Sequence, residues 1–540
     1  MVDYHDNVCQ PLTAEEQAQQ LSHIKRLTQI GVALSSEKDL DRLFEMIVDE
    51  ARFFTNADGG TLYIMTENET ALQFAIVQTD SLNIRMGGKS GKITWPPVLL
   101  KNAHGDPNYS NVSAYTALSG EVVNIPDVYY ADGFNFEGTR QFDQSTGYRS
   151  QSMLVVPMRD HENNIIGVLQ LLNARNPYTG QFIPFSLECQ GMTESLASQA
   201  AVVLTNKRLI DDLQELLDSF IRSIAAAIDE KSPYTGGHVR RVAELTMVIA
   251  RRINEIQEGP YADVFFDENQ LKELRLAAWL HDVGKVTTPE HVVDKAAKLE
   301  TVFNRQELLQ IRFELLRRDR EIAKLRQMIR EGKQNVDDTI CVAHDDYFCN
   351  LEEDYQFLVR DNNCSEIIAD EQVARLKRIA EHQYFMDHAW HPLLSEDEID
   401  NLSIRQGTLT EKERNIINNH AVVTYKMLSQ LPFPKTLRHV AEYAAAHHER
   451  INGTGYPNGL KGEEISIQSR ILALADIFEA LTAKDRPYKK PIILSQALKI
   501  MGAMVEDGHL DPDLFDLFVK ARIYLDYALK EMSPQQIDQV

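Results

Sequence analysis

The chain has no apolar run approaching the ~20 residues that a membrane-spanning helix needs. Its five cysteines, Cys9, Cys189, Cys341, Cys349 and Cys364, are scattered without a CxxC pair, which argues against a disulfide framework and a thiolate zinc site. A redox pair of Cys341 and Cys349 is the weaker reading beside ordinary reduced thiols. Basic charge is short as well: 56 Lys and Arg face 80 Asp and Glu, a net charge of −24. Duplex nucleic acid is bound chiefly by phosphate neutralisation, so that balance opposes it. A small phosphorylated ligand held by a local cluster of cations remains compatible. The first residues, MVDYHDNVCQ, are polar and acidic, unlike a secretory leader. These absences predict a cytoplasmic protein with neither a membrane segment nor a duplex partner.

What is present is ordinary globular composition, 43% hydrophobic and 25% charged residues, over 540 residues that exceed a single core. Residues 1–40 read as an N-terminal helical segment. Residues 41–186 mix helix and strand signals. DRLFEMIVDEARFFTNA has helical spacing and stops at DGG. TLYIM, LQFAIV, EVVNI, SMLVVPM and IIGVLQLLNA read as strands, the last two joined by RDHENN, whose Asp and Asn suit a hairpin turn. An antiparallel sheet with flanking helices, an α+β domain, is the expectation.

Residues 187–229 predict one long helix. Leu196, Val203, Ile210, Leu213, Leu217, Phe220 and Ile224 form a 3-and-4 stripe with one skip near Asn206, the pattern of a two-stranded coiled coil and hence of a homodimer. Packing of the stripe on its own domain is the competing reading. From Ser232 onward the pattern is almost wholly helical, spread over 230–300 and 405–505, with C-terminal helices at 506–540. The interruption at 301–404 reads as an inserted helical hairpin with a mobile acidic loop. It opens with nine basic and five acidic residues between Arg305 and Lys333, then carries eleven acidic residues and one basic from Val336 to Glu371.

Five histidines and two aspartates recur in this helical region: His238, His281, Asp282, His420, His447, His448 and Asp476. All except His238 are expected inside helices of small and apolar residues, where an unpaired polar group is costly. Singly, each is more often a hydrogen-bonded core residue or a cap. Two doublets and three single residues in one domain favour a metal site, and imidazole with carboxylate suits divalent iron, manganese, zinc or nickel.

The motifs in which these residues sit are similar to known families. ADGGTLYI, GEVVNIPDV, YRSQSMLVVPM and IIGVLQLLNA resemble a GAF sensor domain over about 150 residues, with its ligand unassigned. HDVGK resembles the HD superfamily of metal-dependent phosphohydrolases. HHERINGTGYPNGLKGEEIS, ADIFEALTAKDRPYKK and YTGGHVRRVAELT resemble its HD-GYP subgroup, across 232–500. The subgroup's KPGKLTxxE element is split here, KAAKLE stopping at 300 and GTLTEKE resuming at 407, so the insert lies beside the expected centre and could cover the substrate cleft. The fold implied is a GAF-like α+β domain joined by a long helix to an all-α HD-GYP domain.

Position by position, the resemblance implies metal-ligand roles for His238, His281, Asp282, His420, His447, His448 and Asp476. Asp282 would bridge two divalent ions, iron or manganese. Lys285 would face the phosphate or protonate the leaving oxygen, against a simpler role as a cation at a helix C-terminus. Arg486 and Lys489 match positions that hold the substrate's phosphate and guanine, and Gly455, Tyr456 and Pro457 form the GYP loop beside the site. Tyr234 stands where some members place a Glu that helps hold a third metal, which argues for two. Glu479 replaces a common Asp, and Thr424 a usual Gly. The implied function is hydrolysis of cyclic di-GMP to pGpG, or onward to GMP, under GAF control. Alternatives are a 3′,3′-cyclic GMP-AMP phosphodiesterase, a receptor that binds cyclic dinucleotide without turnover, and a nucleotide phosphohydrolase of the wider superfamily.

Overall fold

The structure, a computed structural model, describes residues 25–26, 28–37, 39–102, 104–231, 237–331, 346–363, 367–484 and 492–538. The chain divides into two compact units, Met1–Leu216 and Leu217–Val540. Most of the expected N-terminal helical segment and residues 336–345 of the expected acidic loop, Val336 to Glu371, lie outside the described residues, as do Tyr234, Arg486 and Lys489. The described part of that loop is instead helical over Asp346–Asn362.

In the first unit, helix α1 (Leu40–Thr55) starts where the Asp39 side chain accepts from the backbones of Asp41 and Arg42, and ends at Asn56 in the left-handed region. Strands β1 (Ala57–Met65), β2 (Ala71–Thr79), β3 (Ile84–Gly87) and β4 (Val98–Leu99) follow, then α2 (Val112–Ser119), β5 (Val123–Ile125), α3 (Glu137–Thr146), β6 (Met153–Arg159), β7 (Ile165–Arg175) and β8 (Phe182–Ile183). The order is β3-β2-β1-β7-β6-β5, with β4 on β2 and β8 on β7, and every pairing is antiparallel.

Both faces of the sheet are covered, which explains the unbroken apolar run in β6. Its Leu154, Val156 and Met158 face α1, while Met153 and Val155 face α2 and its neighbours. The RDHENN hairpin forms as expected, with the Asp160 side chain accepting from the backbones of Glu162 and Asn164 at 2.9 and 2.8 Å. Strands β3, β4 and β8 and helices α2 and α3 were not anticipated, because elements this short show no periodicity.

Helix α4 (Leu187–Lys231) is continuous for 45 residues. Its stripe divides three ways. Leu196 is buried in the sheet's own core with Val203 packed against it, and Ile224 packs on a core of the second unit. Between them Ile210, Leu213, Leu217 and Phe220 are exposed.

The second unit contains α5 (His238–Asn254), α6 (Glu268–Leu280), α7 (Gln306–Arg330), α8 (Asp346–Asn362), α9 (Asp370–Ala380), a hairpin of β9 (Gln383–Met386) and β10 (Ala389–Pro392), α10 (Glu396–Leu402), α11 (Glu411–Leu428), α12 (Val440–Ala445), α13 (Ile467–Thr482), α14 (Leu494–Glu506), α15 (Pro512–Lys520) and α16 (Ile523–Glu531). One hydrophobic core joins α5 and α6 to α13 through α16, so residues separated by the insert close a single helical body.

The insert is more than the expected helical hairpin. Leu309, Phe313, Leu316, Leu351, Leu358, Leu376, Leu393 and Leu402 form a core of its own, to which the β9–β10 hairpin contributes Tyr384. The apolar positions on its charged helices are widely spaced and hid that core from a pattern reading. Two buried lysines tie it down. Lys298 Nζ donates to Asp361 at 2.8 Å, and Lys295 Nζ donates to Asn401 at 2.6 Å and to Glu413 at 2.7 and 2.9 Å. Thr408 Oγ1 donates to the Lys295 carbonyl at 2.9 Å. Lys295, before residues 301–404, is thus bonded directly to Thr408 and Glu413, after them.

Candidate metal centre

All seven candidate ligands converge in the second unit, but from other backbone positions than expected. His238 is the first residue of α5. His281 is the C-cap of α6, and Asp282 precedes a single 3-10 turn, Val283–Thr287. His447 and His448 lie in the turn after α12. Only His420 and Asp476 sit inside helices. The correction has a physical reason: a side chain at a helix end can turn inward without displacing the neighbouring turn, so helix ends gather ligands from several directions.

Close backbone packing brings these ends together. A Cβ on Gly284 would meet the His420 carbonyl oxygen at 2.0 Å and the Thr424 nitrogen at 2.7 Å, so only glycine lets the HDVGK turn lie on α11. Thr424, buried, completes the contact. Its hydroxyl accepts from Gly284 N and donates to the His281 carbonyl, both at 3.0 Å. The GYP loop is seated in the same way. A Cβ on Gly455 would meet the Arg450 nitrogen at 2.4 Å, and Glu449 accepts from the backbones of Asn458 and Leu460 at 2.6 and 3.0 Å. Tyr456 then packs its ring 4.8 Å from that of His448, with Pro457 next in the loop.

The imidazoles are pre-oriented by their Nδ1 atoms. His281, His420 and His447 donate from Nδ1 to the carbonyls of Ala278, Ile417 and Ala444 at 2.8, 2.6 and 2.6 Å, each three residues back. His238 differs, pairing Nδ1 with the Glu479 carboxylate at 2.5 Å, which also accepts from Arg241 Nε at 2.8 Å. With Nδ1 engaged, the Nε2 atoms of His238, His281, His420 and His447 are left for the centre.

Two clusters result. His238, His281 and Asp476 form the first, and His420, His447 and His448 the second, while a third group, His281, Asp282 and His447, links them; within each group the ligand atoms lie within 4.8 Å of one another. Asp282 lies between. Its Oδ2 is 3.6 Å from His238 Nε2 and 3.5 Å from His281 Nε2, while its Oδ1 is 3.4 Å from His420 Nε2. His238 Nε2 and Asp476 Oδ1 are 3.4 Å apart. These separations exceed a hydrogen bond, and two atoms each about 2.1 Å from one ion at a tetrahedral angle stand about 3.4 Å apart. The Nε2 atoms of His281, His420 and His447 and Asp282 Oδ1 are buried without a hydrogen-bond partner. Burying such atoms unpaired is costly, and a divalent ion in each cluster would satisfy them. The donor set fits the metal pair.

Electrostatics distinguish the two clusters. Burial opposes charge on His238, but the Glu479 carboxylate, with Asp282 and Asp476, outweighs it and raises its pKa well above the usual value. Burial lowers His420 and carries His447 well below its ordinary range. It pushes His448 down to about 3. The three imidazoles of the second cluster are therefore neutral at pH 7, the form in which a ring nitrogen can bind a metal. Burial also resists ionising Asp282, yet the Lys285 ammonium and His281 hold its carboxyl well below the usual range.

Lys285 Nζ donates to Asp282 Oδ2 at 2.6 Å and is half-buried at the mouth of the centre. A cavity of about 620 Å³ is lined by Thr287, Thr288, His291 and, from the insert's first residues, Val302 and Phe303, with neither Lys285 nor any candidate ligand in its lining. Glu479 and Arg241 were not assigned a role from sequence. The available signal was the spacing of Glu479 one helical turn after Asp476 in ADIFE.

Fold and site define the class of protein. A family model described as a GAF domain matches residues 39–204, and two models described as HD domains match 235–350 and 378–514. The chain therefore joins a GAF domain to an HD domain, a divalent-metal-binding fold, here bearing a GYP loop.

Among curated relatives, it is 42% identical over 117 residues to 3′3′-cGAMP-specific phosphodiesterase 3 of Vibrio cholerae, covering 22% of this chain and 24% of that one. It is 36% identical to the cyclic di-GMP phosphodiesterase response regulator RpfG of Xanthomonas campestris, over 25% of this chain and 35% of the relative. It is 38% identical to a cyclic di-GMP phosphodiesterase of Thermotoga maritima, over 22% of this chain and 32% of the relative. The chain thus spans about a quarter to a third of the length of these relatives.

Proposed function

We propose that the protein is a cytoplasmic, metal-dependent phosphodiesterase that opens cyclic di-GMP to pGpG, regulated by its GAF domain. The observation that carries this reading is Asp282, whose two oxygens face separate clusters at 3.4 to 3.6 Å. Two divalent ions, iron or manganese, held by the seven residues would supply a Lewis-acid pair that activates water at neutral pH and offsets phosphate charge. Asp282 fixes the spacing of the clusters, and the Nδ1 bonds fix the imidazole planes. Lys285, at the mouth, neutralises a non-bridging phosphate oxygen or gives its proton to the leaving ribose oxygen. Arg486 and Lys489 supply phosphate and guanine contacts, Arg through its planar fork. Gly455, Tyr456 and Pro457 close one side of the site.

Turnover of cyclic di-GMP by protein purified without air and loaded with iron or manganese tests the proposal, and no product from any cyclic dinucleotide overturns it. A preference for 3′,3′-cyclic GMP-AMP is the second reading, favoured by the name of the Vibrio relative. Tight binding without product would instead make the protein a receptor.

We further propose a homodimer through α4. Leu209, Ile210, Leu213, Leu216, Leu217 and Phe220 are exposed along it, and helical spacing puts them on one face, which a second copy of the same helix would cover. Light scattering on the full chain tests this, with Leu213→Glu expected to yield the monomer and a monomeric wild type overturning it.

A further inference from the structure

The last turns of α4 reach the elements that open the metal centre. Ile221, Ile224 and Ile228 share a core with Leu276, Ala277, Leu280 and Val283. Leu280 and Val283 flank the His281–Asp282 doublet. Arg275 of α6 donates to Asp218 of α4 at 2.5 Å. One residue beyond Ile228, Asp229 Oδ2 accepts from the Gly237 backbone N–H at 3.0 Å.

That last bond has an unusual place. Gly237 is the N-cap of α5, in the left-handed region at φ 79°, and makes no side-chain cap bond. In a capping box the N-cap N–H is taken by a Glu or Gln three residues into the helix. Here that residue is Arg240, which has no acceptor and pairs with Glu531 at 3.0 Å instead. Asp229 performs the task from another helix, and its carboxylate also suits the positive end of the α5 dipole. The residue after Gly237 is His238.

We propose that Asp229 is a positioning residue through which α4 controls metal occupancy of the first cluster, His238, His281 and Asp476, without controlling the second. The inference rests on the reading of both clusters as metal sites. The contact acts on α5 alone, and α5 carries a ligand of the first cluster only. His420, His447 and His448 take their orientation from α11 and from the turn after α12. The apolar core under α4 also includes Val440 and Ala444 of α12, but such packing is non-directional and does not fix a ligand atom. Helix α4 starts among the buried residues of the first unit, with Leu196, Ala197 and Ala200 in its core, and Asp229, near its far end, is the residue that bonds to the backbone N–H next to His238.

The test is metal stoichiometry of the full chain, titrated with Mn(II) and read by elemental analysis and by the spin-resonance signal of the bound ions. Wild type is expected to hold two tight ions. Asp229→Ala should keep one and bind the other ~10- to 100-fold more weakly, the usual cost of losing an outer-shell partner. Asp229→Asn, which keeps the acceptor oxygen, should hold both. Combining Asp229→Ala with His420→Ala should leave no tight ion.

The proposal is overturned if Asp229→Ala keeps both ions at wild-type affinity, loses both together, or behaves like Asp229→Asn. A lowered melting temperature with both sites intact would make Asp229 a structural cap only, and also overturns it. The readout does not depend on turnover. A wild type that binds two ions yet cleaves no cyclic dinucleotide overturns the substrate reading and leaves this one to its own result.

Discussion

Asp58 in the first unit and Asp282 in the second are both almost fully buried, at 1% and 3% exposure, yet their surroundings differ. Asp58 accepts from Ser81 N at 3.1 Å, Ser81 Oγ at 2.9 Å and Tyr148 OH at 2.6 Å, and pairs with Arg175. Every bond closes within the protein. Around Asp282, Lys285 closes a hydrogen bond to Oδ2 at 2.6 Å, but the imidazoles of His238, His281 and His420 stand 3.4 to 3.6 Å away, and four buried polar atoms lack hydrogen bonds. A satisfied knot of this kind holds a fold. A convergent, unsatisfied one is built for something that arrives later, and its cost is offset only when that partner binds.

The sharpest way to break this contrast is at the doublet. His281→Ala and Asp282→Ala should each abolish stable metal binding and lower hydrolysis by at least about a thousandfold, because a two-ion mechanism fails without a ligand of its first ion or without the carboxylate between the two. Metal analysis of protein purified without air, followed by a cyclic di-GMP assay, checks both. Retained activity would mean that the site lies elsewhere.

Asp58→Ala should do the reverse. Removing one partner of a buried charged knot costs about 3–5 kcal/mol, so the sensor's melting transition should fall by roughly 10 °C, by the usual scaling for a domain of this size. Two metal ions should remain bound. Loss of metal in this variant would mean that satisfied and unsatisfied knots do not separate as argued.

Glu479 refines the comparison, being a satisfied group that serves unsatisfied ones. It is fully buried, accepts from His238 and Arg241, and its carboxyl is held low: burial opposes this, but His238 and Arg241 prevail. Glu479→Ala should weaken metal binding ~10-fold or more while His420, His447 and His448 still hold an ion. Competition with a graded chelator measures it, and unchanged affinity would make Glu479 purely structural.

These residues also mark how far the sequence could be read. HDVGK, the HHE motif and ADIF pointed to five of the seven candidate ligands, because these runs are distinctive, and YTGGH and INNHAV pointed to His238 and His420. Strand β6 was visible from an apolar run with a hairpin beside it. What stayed hidden depends on contacts distant in sequence. Nothing in the chain announces that Gly284 must touch the His420 carbonyl, that Lys295 reaches Glu413 across the insert, or that Asp229 caps another helix. The placement of His281 and His447 at helix ends was missed because ±2 residues at a helix boundary lie beyond what periodicity resolves.

The smallest expected effect comes from an ion pair whose length matches the strongest ones. Lys530 donates to Glu244 at 2.6 Å, the same separation as Lys285 and Asp282. Distance alone would rank the two pairs together, but burial does not: Lys530 and Glu244 side chains are 63% and 41% exposed, whereas Asp282 is 4% exposed. Water and salt screen the outer pair, and holding two long side chains in one geometry costs entropy, so Lys530→Ala should change stability by less than about 0.5 kcal/mol. Chemical denaturation at low and high salt checks this. A loss above 1 kcal/mol, persisting at high salt, would show that contact length rather than burial ranks polar contacts in this chain.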